Sequence, residues 1–233
     1  MNRLFYKHSL NYKSLEIVRY IFKTISVYLL LSVAVFLMLM GIVRYLPMKD
    51  TIGFLQFKQN YIHILPWKIA FYTHVFTVIF ALLAGFTQFS SSILKGYKNI
   101  HRLMGKIYAC DILFINFPAA MIMAVYANGQ LPGKIAFVVL DCLWFWFTYK
   151  AVAEIKKGNV LAHKQFMIRS YALTVSAVTL RCWKIVILSF VYVEPLHLYM
   201  IDAWMGFVPN LLFAEWLIKK KQKPLPFNTQ VVK

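Results

Sequence analysis

The stretch HKQFMIRSYALTVSAVTLR, residues 163–181, decides the fold. It is apolar enough to lie in a bilayer, yet it holds a histidine and two arginines. At helical spacing His163, Met167, Ser170, Thr174, Ala177 and Arg181 fall on one face, in steps of three and four. The other positions, among them Phe166, Ile168, Leu173, Val175, Val178 and Leu180, are mostly apolar. A charge near the centre of a bilayer costs about 2.5–3.5 kcal/mol on insertion scales. A lipid-facing helix needs no such stripe, so the stripe is expected to face other helices or a water-filled cavity.

Working outward, the same apolar character recurs along the chain. The 233 residues are 61% hydrophobic and the mean hydropathy is +0.62, whereas soluble domains run about 45–50% apolar. A spanning helix needs about 20 mostly apolar residues. Six segments qualify: 24–43, 67–91, 105–127, 134–154, 167–192 and 200–218. The expected fold is an all-α, polytopic transmembrane bundle of six spans. Residues 1–23 form a basic cytoplasmic arm, 24–218 the membrane domain, and 219–233 a basic, disordered tail. The first 23 residues are too long and too charged for a signal peptide, so the first span is expected to be retained.

The net charge of +18 suggests nucleic acid until its distribution is read. Nineteen of the 26 Lys and Arg fall on one side of the six spans and five on the other, with Arg181 and Lys184 inside the fifth. That bias puts both termini in the cytoplasm. The basic surface then meets anionic lipid head groups, at about 1 kcal/mol per charge, and no nucleic acid. Cys110, Cys142 and Cys182 all lie inside spans and are read as small apolar core residues rather than a disulfide or C-x-x-C site.

Two groups of residues carry chemistry. On the inner side, His101 with Arg102 and His163 with Arg169 each open a helix at comparable depth. Two imidazoles facing each other across a bundle are the arrangement that holds b-type haem, and Arg102 and Arg169 would meet its propionates. The alternative is an interfacial role, capping helices or contacting lipid phosphate. In the outer half, His74, Asp141 and Arg181 come from three different spans. An Arg181–Asp141 ion pair is the least costly way to keep both charges in the membrane. That pair would lock two spans together, or would join His74 in a proton relay or a substrate cavity. Gln88 lies on the small-residue stripe of the second span, Asp111 lies in the third, and Asn210 in the sixth. Glu215 lies at the inner end of the sixth span, within reach of Arg102 or Arg169. No P-loop, G-x-S-x-G or H-E-x-x-H motif is present.

Several of these groups together resemble a known family. HRLMGKIY (101–108), the tryptophans of the fourth span, HKQFMIRSYALTVSAVTLR and WMGFVPNLLFAEW (204–216) are similar to bacterial predicted membrane proteins with domain of unknown function 2306. The resemblance covers roughly residues 67–218 and implies a multi-span fold in the bacterial inner membrane, without a mechanism. Two functional classes are left open. One is a redox carrier with haem b at the inner histidines and a membrane redox partner. The other is a non-enzymatic transporter or small-molecule or lipid binder built on the polar core.

Overall fold

The computed structural model describes residues 2–222, apart from the side chains of 2–15, 20, 23, 24, 27, 28, 30, 31, 91 and 92. Of the expected disordered tail, 219–233, residues 219–222 form the last turn of a helix instead, and the rest lies outside the described residues, as do most side chains of the N-terminal arm. Among the described residues every regular element is helical: α1 (Asn2–Tyr45), α2 (Leu65–Gln88), α3 (Ser91–Gly96), α4 (Lys98–Cys110), α5 (Phe117–Val125), α6 (Gln130–Lys156), α7 (Val160–Thr174), α8 (Ser176–Phe190), α9 (Pro195–Met205) and α10 (Val208–Gln222). A short 3-10 turn, Gly53–Lys58, interrupts the long loop after α1, and a π-helical turn, Asp111–Asn116, joins α4 to α5.

Three helical stretches are long and apolar enough to cross a membrane: Leu65–Gln88, Lys98–Val125 and Gln130–Lys156. A fourth is available if α7 and α8, bent by 44° at Val175, count as one span. Two of the six expected spans take another form. The first half of residues 24–43 falls largely on side chains outside the described set, and the described apolar part of α1 is Ser32–Tyr45. The stretch 200–218 is split between α9 and α10, neither long enough alone.

The breaks have local causes. Pro118 cannot donate a backbone N–H, and the helix widens to π geometry in the turn before it. At the α7–α8 bend, the Ser176 hydroxyl donates to the Leu173 carbonyl, one turn back on the chain. Hydroxyls that bond back to their own helix in this way bend it. Pro209, the second residue of α10, follows the break after Met205.

The carbonyls freed at two of these breaks meet one residue. Asn210 Nδ2 lies 3.1 Å from the Ala172 carbonyl, 3.1 Å from the Gly206 carbonyl and 3.0 Å from Thr179 Oγ1. Thr179 also donates to the Gly206 carbonyl at 2.6 Å. Asn210 therefore ties the α7–α8 bend to the α9–α10 break. Broken backbone inside a membrane persists only where such partners re-satisfy it.

The bundle core is built from small residues and rings. The α2 stripe packs inward, with Val78, Ala81 and Gly85 buried. A Cβ on Gly85 would lie 2.1 Å from the Tyr171 ring, so only glycine lets α7 approach here. Helix α6 runs against α5, α7 and α9, while α10 covers α7 and α1 covers α2 and α8. The short 126–129 turn makes α5 and α6 neighbours, as the sequence predicts. The three cysteines are a correction: all are exposed. Small apolar side chains sit on outward faces without cost when the surroundings are lipid.

Candidate functional site

The stripe that organises the sequence divides at the bend. Before it, Met167, Ser170 and Thr174 are buried and His163 is half-buried, whereas beyond it Ala177 is half-buried and Arg181 exposed. The buried part joins a closed set of hydrogen bonds. Trp144 Nε1 donates to Thr174 Oγ1 at 3.0 Å, and Thr174 lies 2.8 Å from the Tyr108 hydroxyl. Tyr108 lies 2.7 Å from Ser170 Oγ, which lies 2.7 Å from Thr148 Oγ1. Thr148 donates to the Trp144 carbonyl at 2.7 Å. Oriented head to tail, each hydroxyl donates once and accepts once, so the ring begins and ends on Trp144. Nothing in it is left for a ligand.

Helices α4 and α7 leave this ring in the same direction. His101 and His163 each lie seven residues before their ring member, Tyr108 and Ser170, or about 10 Å of helix rise. They are therefore at equal depth, near enough for their charges to interact. His163 Nδ1 lies 2.8 Å from the Ala151 carbonyl. A carbonyl only accepts, so Nδ1 carries the hydrogen and Nε2 is the bare nitrogen. Gln88 Nε2 donates to the His101 carbonyl at 3.0 Å, which fixes the start of α4. The arginines divide. Arg169 makes a two-pronged pair with Glu215 (Nε–Oε1 2.5 Å, Nη2–Oε2 3.0 Å) and stacks over Phe147 and Phe166. Arg102 is exposed. Arg169 thus binds α7 to α10, and Glu215 takes one of the two partners expected for it.

The outer half is organised differently. A cavity of about 400 Å³ lies between α2, α5, α6, α7, α8 and the loop after α1. His74, Asp141 and Arg181 all line it, so the sequence grouping is spatial. The expected ion pair is not. Arg181 Nη1 donates to the Ala177 carbonyl and lies 3.7 Å from Met38 Sδ. Asp141 is 5% exposed and its Oδ2 has no partner. The bend at Val175 turns α8, and with it Arg181, toward α1 and away from α6. His74 Nδ1 is also buried without a partner.

Three contributors escaped the sequence reading. Lys58, counted there as a loop charge, is 1% exposed and lines the cavity. Its ammonium donates to the Tyr126 carbonyl and to Asn128 Oδ1 (2.6 Å), under the rings of Phe54 and Tyr61. Burial and the nearby Lys134 lower its pKa to about 8. The aromatic run around it, GFLQFK, was the available signal. Lys184 also lines the cavity, one turn beyond Arg181. Asp202, on α9, is buried with Oδ1 unpartnered and lies near Lys184. An acid in an otherwise apolar stretch was legible but passed over. Asp111 is buried with Oδ2 unpartnered, in the π turn, where Asn116 donates to Thr77 at 3.1 Å.

Among the described residues no three His, Cys, Asp or Glu side chains group as metal ligands. No curated protein and no solved structure matches the chain. The family described as predicted membrane protein, DUF2306, matches residues 71–218, more than half of the chain, and the chain belongs to that family.

Proposed function

We propose that this membrane protein is a non-enzymatic carrier that takes up a small organic molecule in the outer-half cavity. The observation that carries this reading is that two residues lining one cavity, Asp141 and His74, each hold a buried polar atom without a partner, Oδ2 and Nδ1. Buried polar atoms are satisfied almost everywhere in proteins, and in the neighbouring hydroxyl ring they all are. A 400 Å³ concavity with aromatic walls and a few convergent polar groups is of ligand-binding size. The α7–α8 bend and the α9–α10 break supply segments that can rock about this site, as discontinuous helices do in transporters.

The setting we infer is the bacterial inner membrane, with α1 and the α9–α10 pair completing six spans and both termini cytoplasmic. The lysine and arginine bias supports this, and a reporter fused after Lys233 should read as cytoplasmic. The test of the site is to fill it. Native mass spectrometry of protein extracted directly into nanodiscs should find a co-purified small molecule. Ala177→Trp, whose side chain enters the cavity, should lose it at an unchanged melting temperature. Retention of the molecule by a folded Ala177→Trp variant would place the site elsewhere.

A second reading, a b-type haem carrier, is favoured by the equal depth of His101 and His163 and by the bare Nε2 that the Ala151 bond gives His163. That second-sphere bond is the usual support of a ligating histidine. Engagement of Arg169 by Glu215 leaves Arg102 as the propionate partner. A Soret band in the purified protein, lost in either His101→Ala or His163→Ala, supports this reading; colourless protein purified from haem-replete cells ends it.

A further inference from the structure

The charges around the cavity narrow what it takes. Lys58, Arg181 and Lys184 line it, against the single carboxylate of Asp141. Among the described residues none of these three cations forms an ion pair with a carboxylate. Among the described residues, the N–H donors of Arg181 beyond Nη1 meet no acceptor. In a membrane protein, unpaired cations on a cavity wall are costly unless an anion or water meets them.

Their positions are ordered along the cavity. Asp141 and Thr174 lie on the hydroxyl-ring side, since Asp141 precedes Trp144 by one helical turn. Lys58, from the loop after α1, is buried and held by the 126–128 turn. Arg181 and Lys184 climb α8 between them, and Ser176 to Lys184 is about 12 Å of helix rise. Trp67, Trp144, Phe54 and Phe137 form apolar walls along the way. The ring side therefore presents a carboxylate without a donor, and the rest of the wall presents three cations without a carboxylate.

Resting on the carrier reading above, we propose that the ligand is an organic anion with an apolar body: its carboxylate or phosphate group meets Arg181, Lys184 and Lys58, and a hydroxyl or amine at its far end donates to Asp141. The same chemistry describes a free organic acid or an anionic lipid head group. A guanidinium beside an ammonium suits an oxyanion, because the planar fork of arginine engages two oxygens at once. The aromatic walls match a flat or branched apolar body, which the cationic end alone would not hold.

The experiment uses the full chain in phosphatidylcholine nanodiscs, with naphthalene-2-carboxylate and its uncharged amide as probes, followed by tryptophan fluorescence and melting temperature. The acid should bind at least about tenfold more tightly than the amide, the factor that one charge-assisted contact supplies. Arg181→Gln and Lys184→Gln should each erase most of that preference while leaving amide binding unchanged. Equal affinity for acid and amide, or a preference that survives both substitutions, overturns the anion assignment and leaves the carrier reading standing. If neither probe binds, and Ala177→Trp changes nothing, both fall together. In phosphatidylglycerol nanodiscs, acid binding that is competed away, with that lipid retained in native mass spectra of wild type but not of Arg181→Gln, identifies a lipid head group as the source. Undiminished acid binding there identifies a free organic acid.

Discussion

The two halves of the bundle use polar residues in opposite ways. Around Trp144, Thr148, Ser170, Thr174 and Tyr108, every hydroxyl has a partner and the ring closes on itself. One turn further out, Asp141 and His74 line a cavity, and each holds a buried polar atom without a partner. Both regions are polar spots in an apolar helix and look alike in sequence. Their difference is satisfaction, and it separates scaffold from site: a completed network holds α4, α6 and α7 in register, whereas an incomplete one waits for another molecule.

The largest effect expected from that contrast lies in the ring. Tyr108→Ala removes a fully buried ring and strands Ser170 and Thr174, so unfolding should become easier by about 3–5 kcal/mol. Asp141→Asn, equally buried, breaks no hydrogen bond of Oδ2 and should shift stability by less than about 1 kcal/mol. Thermal or denaturant melting in one detergent compares them directly. Equal losses would mean that Asp141 is as much a part of the scaffold as Tyr108.

A smaller and opposite-looking effect belongs to Lys58. Its pKa in the folded protein, about 8, lies below the ordinary 10.5. Between these values the unfolded chain holds a proton that the folded chain has released. This group alone therefore makes stability rise as pH goes from about 8 to 10.5, and adds no slope below 8. Binding of an anionic probe moves the other way, weakening above pH 8 as the ammonium on the cavity wall is lost. Lys58→Met should flatten both slopes. A probe affinity with the same pH profile in wild type and Lys58→Met would remove Lys58 from the site.

Much of this architecture was legible in the sequence, and the parts that were not share a cause. Hydropathy gave the helical class and α2, α4–α5 and α6, because a bilayer demands length and apolarity above all. The facing of the 163–174 stripe followed from period alone. The bend at Val175 did not, because it depends on the Ser176 hydroxyl choosing a carbonyl of the preceding turn over another partner. That bend then changed everything past it, sending Arg181 to Met38 and the Ala177 carbonyl. Asn210, read as polar core, is half-buried and bonds across two helix breaks that no periodicity announces. Lys58 was hidden by its location, since a lysine in a loop is ordinarily solvated and only the folded turn buries it.

The smallest effect tests the comparison most finely, because it concerns the pair that the sequence favoured. If Arg181 and Asp141 were bonded, removing either would leave an uncompensated charge, and the double variant would recover much of the loss. The structure instead gives Arg181 other acceptors and leaves Asp141 Oδ2 empty, with both on the wall of one cavity. Residues that share no direct contact add nearly independently. The cycle of Arg181→Leu, Asp141→Asn and the double variant should therefore show a coupling below about 0.5 kcal/mol in unfolding free energy. Repeated with a bound anionic probe, the same cycle should show a larger coupling, because one ligand then touches both residues. Rescue of Arg181→Leu by Asp141→Asn in the empty protein would restore the ion pair. Asp141 would then rank with the hydroxyl ring as scaffold, and the cavity would lose its acceptor.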